Sequence, residues 1–111
     1  MKLWQGGKIS SMGKVQLRMP SSIADTLNEK RSDWFIFEKE IGEGATMGDL
    51  LAELTSNYDG FRKAVFNPDI GKISDQIMVF LNDNLLQDPG VTDAKLNDRD
   101  SIMFLPVYSG G

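Results

Sequence analysis

The stretch that most constrains this chain is Ile102-Met103-Phe104-Leu105-Pro106-Val107-Tyr108, which carries no charged or strongly polar side chain. A strand with one wet face alternates apolar and polar residues, because neighbouring side chains point to opposite faces. A run without alternation must be covered on both faces, or must keep one face for another molecule. It is too short to cross a bilayer as a helix. The segment therefore reads as a central strand, Ser101 to Val107, that is partly interfacial.

The other elements are readable upstream. Val15, Leu17 and Met19 alternate with Gln16 and Arg18, the period of a half-buried strand, and Pro20 ends it for want of an N–H. Ser21 to Arg31 reads as a polar loop with room for one helical turn. Trp34-Phe35-Ile36-Phe37 opens a second strand towards Ile41, after which Gly42 and Gly44 turn the chain. Thr46 with Asp49 three residues on has the form of a capping box, with Asp in place of the usual Glu. Met47, Leu50, Leu51, Leu54 and Tyr58 then fall on one helical face. Gly60 stands where a C-terminal cap belongs. Phe61, Ala64 and Val65 suggest one more helical turn before Asn67-Pro68-Asp69. Ile77 to Leu81 reads as a strand, Asn82-Asp83-Asn84 as a turn, and Leu85-Leu86 as a short return strand. Asp88-Pro89-Gly90 turns the chain again, and Asn97-Asp98-Arg99-Asp100 leads into the last strand.

Strand, strand, helix, strand, short strand, strand is the order of an α+β, ubiquitin-like β-grasp. One main helix packs across a mixed sheet of four or five strands. The first and last strands lie parallel in the middle, which accounts for the fully apolar last strand. The boundaries follow: Met1 to Gly13 as a flexible, glycine- and serine-rich extension with Trp4 its one large aromatic, Lys14 to Val107 as the domain, and Tyr108 to Gly111 as a tail.

Composition narrows the function. The 111 residues suit one domain. They include no cysteine and no histidine. Thiolate chemistry, a CxxC zinc site and the usual neutral-pH general base are thereby removed. No metal site is expected, since the carboxylates show no EF-hand-like spacing. The net charge of -4 argues against nucleic acid. No segment has the form of a membrane span or a secretory signal, so no membrane partner is expected and the chain reads as cytoplasmic.

The sequence closes on Ser109-Gly110-Gly111. A glycine pair carries a carboxylate on a segment without side chains, able to thread a narrow channel in another protein. Glu43-Gly44-Ala45-Thr46-Met47-Gly48-Asp49-Leu50-Leu51 resembles the "EGATVGDLL" helix start of the MoaD/ThiS sulfur-carrier family. Asp98 to Gly111 resembles that family's "DGDEVALFPPVAGG" close. Phe61 to Phe66 and Val79 to Asn82 match its longer, MoaD-like members. The similarity covers Lys14 to Gly111.

The resemblance implies a β-grasp carrier, not an enzyme. Its terminal glycine, here Gly111, would be adenylated by an E1-like adenylyltransferase and converted to a thiocarboxylate by a persulfide sulfur donor. ATP would be used by that partner, and this chain would bind no cofactor. The sulfur would pass to an accepting synthase, such as the large subunit of molybdopterin synthase or another. Gly110 and Ser109 would form the tail, and Phe104, Leu105, Pro106, Val107 and Tyr108 would seat the carrier on its partners. Phe104, Leu105, Pro106 and Val107 each serve equally well as core on the strand pattern alone. Three departures stand out: Arg99 where the family has a turn glycine, Val107 in place of a second proline, and Tyr108-Ser109 in place of Val-Ala. Two other readings stay open at this level: a ubiquitin-like modifier joined to lysines through the same Gly-Gly end, and a non-catalytic binding subunit.

Overall fold

The computed structural model describes residues 13–30, 33–87 and 90–107. The extension up to Met12 with Trp4, the Asp88-Pro89 part of the expected turn, and the Tyr108 to Gly111 tail lie outside the described residues.

Strand β1 (Gly13–Met19) starts one residue before the expected boundary. Gly13 is therefore part of the sheet, paired with Ile41, and a Cβ there would lie 2.9 Å from the Asp98 Cα. Pro20 ends β1 as expected. The following segment is more ordered than a polar loop: it forms α1 (Ser21–Ala24) and a 3-10 turn (Asp25–Leu27). Ile23, Ala24 and Leu27 are buried there, one helical turn apart on the same side. Strand β2 (Phe35–Ile41) pairs antiparallel with β1.

Helix α2 (Met47–Asn57) begins as the sequence indicates. The Asp49 N–H donates to Thr46 Oγ1 at 3.2 Å, and the Thr46 N–H donates to the Asp49 carboxylate at 2.9 Å. Two more of its free N–H groups are satisfied from outside. Met47 donates to the Ala94 carbonyl at 2.7 Å and Gly48 to the Thr92 carbonyl at 2.9 Å. The stripe Met47, Leu50, Leu51 and Leu54 is buried, and Tyr58 packs partly buried against the same core.

Gly60 does not cap α2. Tyr58 ends that helix in an extended conformation, and Gly60 lies inside α3 (Asp59–Ala64). Its lack of a side chain serves packing instead, since a Cβ would meet the Thr26 carbonyl oxygen at 3.0 Å. A two-residue hairpin, β3 (Phe66–Asn67) with β4 (Lys72–Ile73), follows and was not visible in the strand pattern. Strands β5 (Ile77–Leu81), β6 (Asn84–Leu86) and β7 (Ser101–Pro106) complete the sheet. The β5–β6 turn places Asn82 and Asp83 at φ 50° and 71°, the left-handed pair that a two-residue hairpin loop requires.

The five-stranded sheet has the order β2-β1-β7-β5-β6. β1 and β7 are parallel at its centre, and the other pairs are antiparallel. This is the β-grasp arrangement. The core lies between one sheet face and the helices. Phe104 of β7 is fully buried and meets Phe61 of α3 edge to face, ring centroids 5.8 Å apart.

Two expected outcomes follow. Phe104→Ala should destabilise the fold by about 3–5 kcal/mol, through lost burial plus a cavity, measured by denaturant unfolding. Arg99 has φ 73°, a left-handed conformation that costs a side-chain-bearing residue, at the position where the resembled motif carries a turn glycine. Arg99→Gly should raise stability by roughly 1 kcal/mol, strain relief exceeding the added chain entropy, and would be read as a higher melting temperature.

Candidate functional site

The last strand is fixed at its entrance by a small polar cluster. The Arg99 N–H donates to the Lys14 carbonyl at 2.7 Å, and the Lys14 N–H to Asp98 Oδ1 at 2.9 Å. Asp100 accepts from the Asn97 N–H and from Asn82 Nδ2, and Asn82 Oδ1 accepts from the Ser101 N–H at 2.9 Å. These bonds set the register of β7 against both β1 and β5. At the other end, Val107 donates its N–H to the Gln76 carbonyl at 2.7 Å, so pairing persists to the point where the tail departs.

Alternation along β7 sorts the expected partner-facing residues. Ile102 and Phe104 face the helices and are fully buried. Phe104 is thus corrected from docking residue to core residue, because no partner can reach it in the folded protein. Met103 and Leu105 point to the opposite face and are partly exposed. Pro106 is partly buried and Val107 is 37% exposed at the exit. Tyr108, Ser109, Gly110 and Gly111 lie outside the described residues.

The face away from the helices carries a continuous row through all five strands. Ile36 of β2 pairs with Arg18 of β1, Arg18 with Met103 of β7, Met103 with Phe80 of β5, and Phe80 with Leu85 of β6. Leu105 and Met78 form a second apolar pair nearer the exit. Ile36 is 52% exposed and Leu85 44%. Away from the exit the same face turns polar: Lys14 opposes Glu40, and Gln16 opposes Glu38. The apolar half of the open face therefore lies at the Val107 end of β7. Beside it, Ile73, Ile77, Leu86, Val91 and Val107 line a shallow basin of about 440 Å³.

Of the residues expected to meet a partner, Leu105 lies on this face; Ile36, Met78, Phe80 and Leu85 on the same face were not among those expected. A signal was present. Ile77 to Leu81 is apolar at every position, as β7 is, and the argument applied to β7 holds for it too.

The family model described as the ThiS family matches residues 23–111. The chain belongs to the ThiS family. This is the ThiS/MoaD ubiquitin-like sulfur-carrier family that the quoted motifs resemble. Sulfur carrier protein CysO of Mycobacterium tuberculosis is 29% identical over 69 residues, covering 61% of this chain and 74% of CysO. Among solved structures, SAMP1 from Haloferax volcanii superposes with a TM-score of 0.66 at 21% identity, over 89% of this chain and 100% of SAMP1. A chain of the Amycolatopsis orientalis BexX/CysO complex gives a TM-score of 0.61 at 22% identity, over 87% of this chain and 99% of that one. At these identities the two structures establish the shared fold. No helix among the described residues is long and apolar enough to cross a membrane.

The geometry of this ThiS-family sheet separates neighbours on β7. Leu105→Glu should leave the melting temperature within a few degrees of the parent, since the side chain is partly exposed on the open face. Phe104→Glu should abolish folding, because it buries an unpaired carboxylate. Far-ultraviolet circular dichroism with thermal melts checks both; equal damage from the two changes would contradict the assignment of faces.

Proposed function

We propose that this chain carries sulfur on the carboxylate of Gly111. The observation that supports this most is the family match, which runs from residue 23 through Gly111 and so includes the Gly-Gly end. The β-grasp body adds a physical reason: a central strand, held at both ends, ends beside an apolar face at Val107, just before the Gly-Gly end in sequence. In this reading the chain is a carrier, not an enzyme, and binds no cofactor itself. That is compatible with a sequence lacking both histidine and cysteine.

A carboxylate is a poor electrophile. An E1-like adenylyltransferase transfers AMP from ATP to it, releasing pyrophosphate and creating an acyl adenylate with AMP as leaving group. The terminal sulfur of a protein persulfide then displaces AMP, giving an acyl disulfide. A thiol cleaves the S–S bond and leaves the thiocarboxylate on Gly111, the thiol's own sulfur ending in the new disulfide. The thiocarboxylate is a soft nucleophile that delivers sulfur to a synthase of molybdopterin-type or related cofactor assembly. Ser109 and Gly110 supply a narrow tail. Leu105, Pro106, Val107 and Tyr108, with Met78, Phe80 and Leu85 on the open face, seat the carrier on these partners. Apolar area covered there contributes at ~25 cal/mol per Å², before the costs of association.

Incubation of the full chain with a cognate activating enzyme, ATP, a persulfide donor and a thiol should exchange one terminal oxygen for sulfur, seen by intact-mass spectrometry. Deleting Gly111 should abolish the exchange and leave the melting temperature unchanged. Equal thiocarboxylation of parent and deleted chain would refute the proposal. Isopeptide-linked products in place of the sulfur exchange would favour a modifier.

A further inference from the structure

One cationic side chain stands inside the apolar row of the open face. Arg18 lies between Ile36 on β2 and Met103 on β7 and is half-buried. None of the ion pairs or side-chain hydrogen bonds among the described residues includes it. Lys39, one strand away on the helix side, is held by Glu53 of α2. The nearest acid in register on the open face is Glu38, which opposes Gln16 and so stands diagonal to Arg18, without forming an ion pair. Arg18 thus presents a planar fork of donors beside apolar neighbours, with no acceptor among the described residues.

Resting on the reading of this face as a docking surface, we infer that Arg18 is its charged anchor. The activating enzyme that docks there places an acidic side chain, set among apolar residues, opposite the Arg18 guanidinium. Covering the row removes water from Arg18, and a desolvated charge without a counter-charge opposes binding strongly. The enzyme must therefore bring an acceptor. A carboxylate fits the fork with two parallel hydrogen bonds. A phosphate group would offer similar oxygens, but Glu38 and Glu40 flank the row on the same face and the chain carries a net charge of -4, both of which repel a polyanion. An acidic side chain in apolar surroundings meets that repulsion over one charge only. Arginine is also a residue type on which binding energy concentrates at interfaces.

The test uses the full chain and its activating enzyme, with two readouts: direct binding by calorimetry, and ATP–pyrophosphate exchange with the carrier as variable substrate. Arg18→Glu should weaken binding and raise KM by about 30-fold or more, as for truncation of a buried charged pair. The exchange kcat should change little, since the tail is intact. Arg18→Lys should fall between parent and Arg18→Glu, and Arg18→Glu should flatten the salt dependence of binding. Glu38→Gln should leave KM unchanged or lower it. A folded Arg18→Glu chain with affinity within about twofold of the parent would overturn the inference. So would a loss on Glu38→Gln equal to that on Arg18→Glu, which would make the two an internal pair. If the parent binds but supports no exchange, the carrier reading fails while the Arg18 comparison still stands on the binding data. A parent that neither binds nor exchanges refutes both.

Discussion

The parallel pairing of β1 with β7 is the constraint on which the rest depends. It joins residues 16–18 to residues 101–103 and so brings opposite ends of the domain together at the centre of the sheet. Parallel strands need a long connection between them, and here everything from β2 to the 92–100 loop serves as that connection. The pairing is secured by the bonds exchanged between Lys14 and the Asp98-Arg99 turn and by the Gln16 N–H donating to the Asp100 carbonyl. The same loop is tied to the start of α2 through the Ala94 and Thr92 carbonyls and through Leu96 donating to the Ala45 carbonyl. Helix placement and strand register are therefore fixed by one segment. Contacts so distant in sequence form only after loop-closure entropy has been met.

Much of the fold was legible because local chemistry and global position agree. The Thr46–Asp49 box marked the start of α2, its apolar stripe marked its buried side, and the unbroken apolarity of β7 marked the centre of the sheet. The Arg99 position was legible as a turn, since the resembled motif carries glycine there, and its φ is positive. Other features were hidden for identifiable reasons. Ile23 and Leu27 sit in a polar, serine-rich segment whose helical pair is too short to stand out. Gly60 was misread because a glycine near a helix end fits a cap as well as a close approach, and only the Thr26 carbonyl beside it decides. Phe104 was misplaced because an apolar run conceals which residues share a face until a partner strand fixes the phase. The open-face row needs four registers across five strands, information that no single segment contains.

The sheet faces two environments with different consequences. The helices cover the side of Leu17, Ile102 and Phe104, all fully buried. Nothing in the described residues covers the other side, yet Ile36, Met103, Phe80 and Leu85 are apolar there. A solvated sheet face ordinarily alternates to polar residues, and a contiguous apolar row carries an aggregation hazard. The acids on β2 and the charged Lys14–Glu40 end limit that hazard, since like-charged edges discourage edge-to-edge pairing. The apolar half lies at the end from which the tail departs, and the charged half lies at the other.

That polarity of the face couples binding to tail delivery. In the proposed reaction the Gly111 carboxylate must meet the α-phosphate of ATP within a narrow range of positions, because such steps tolerate little misplacement. Glycine at Gly110 and Gly111 leaves the end itself without side-chain anchors, so placement must come from the body. β7 provides it. Its register is held at the entrance by Asn82 and Asp100 and at the exit by the Val107–Gln76 bond. A partner that grips Met103 and Leu105 grips the strand from which the tail extends, with no hinge between the gripped residues and Val107. Docking energy spent on the open face thereby fixes the position of Val107, the residue that the tail follows in sequence. A carrier built this way needs no catalytic side chain: the fold supplies a rigid handle, and the enzyme that holds the handle supplies the chemistry.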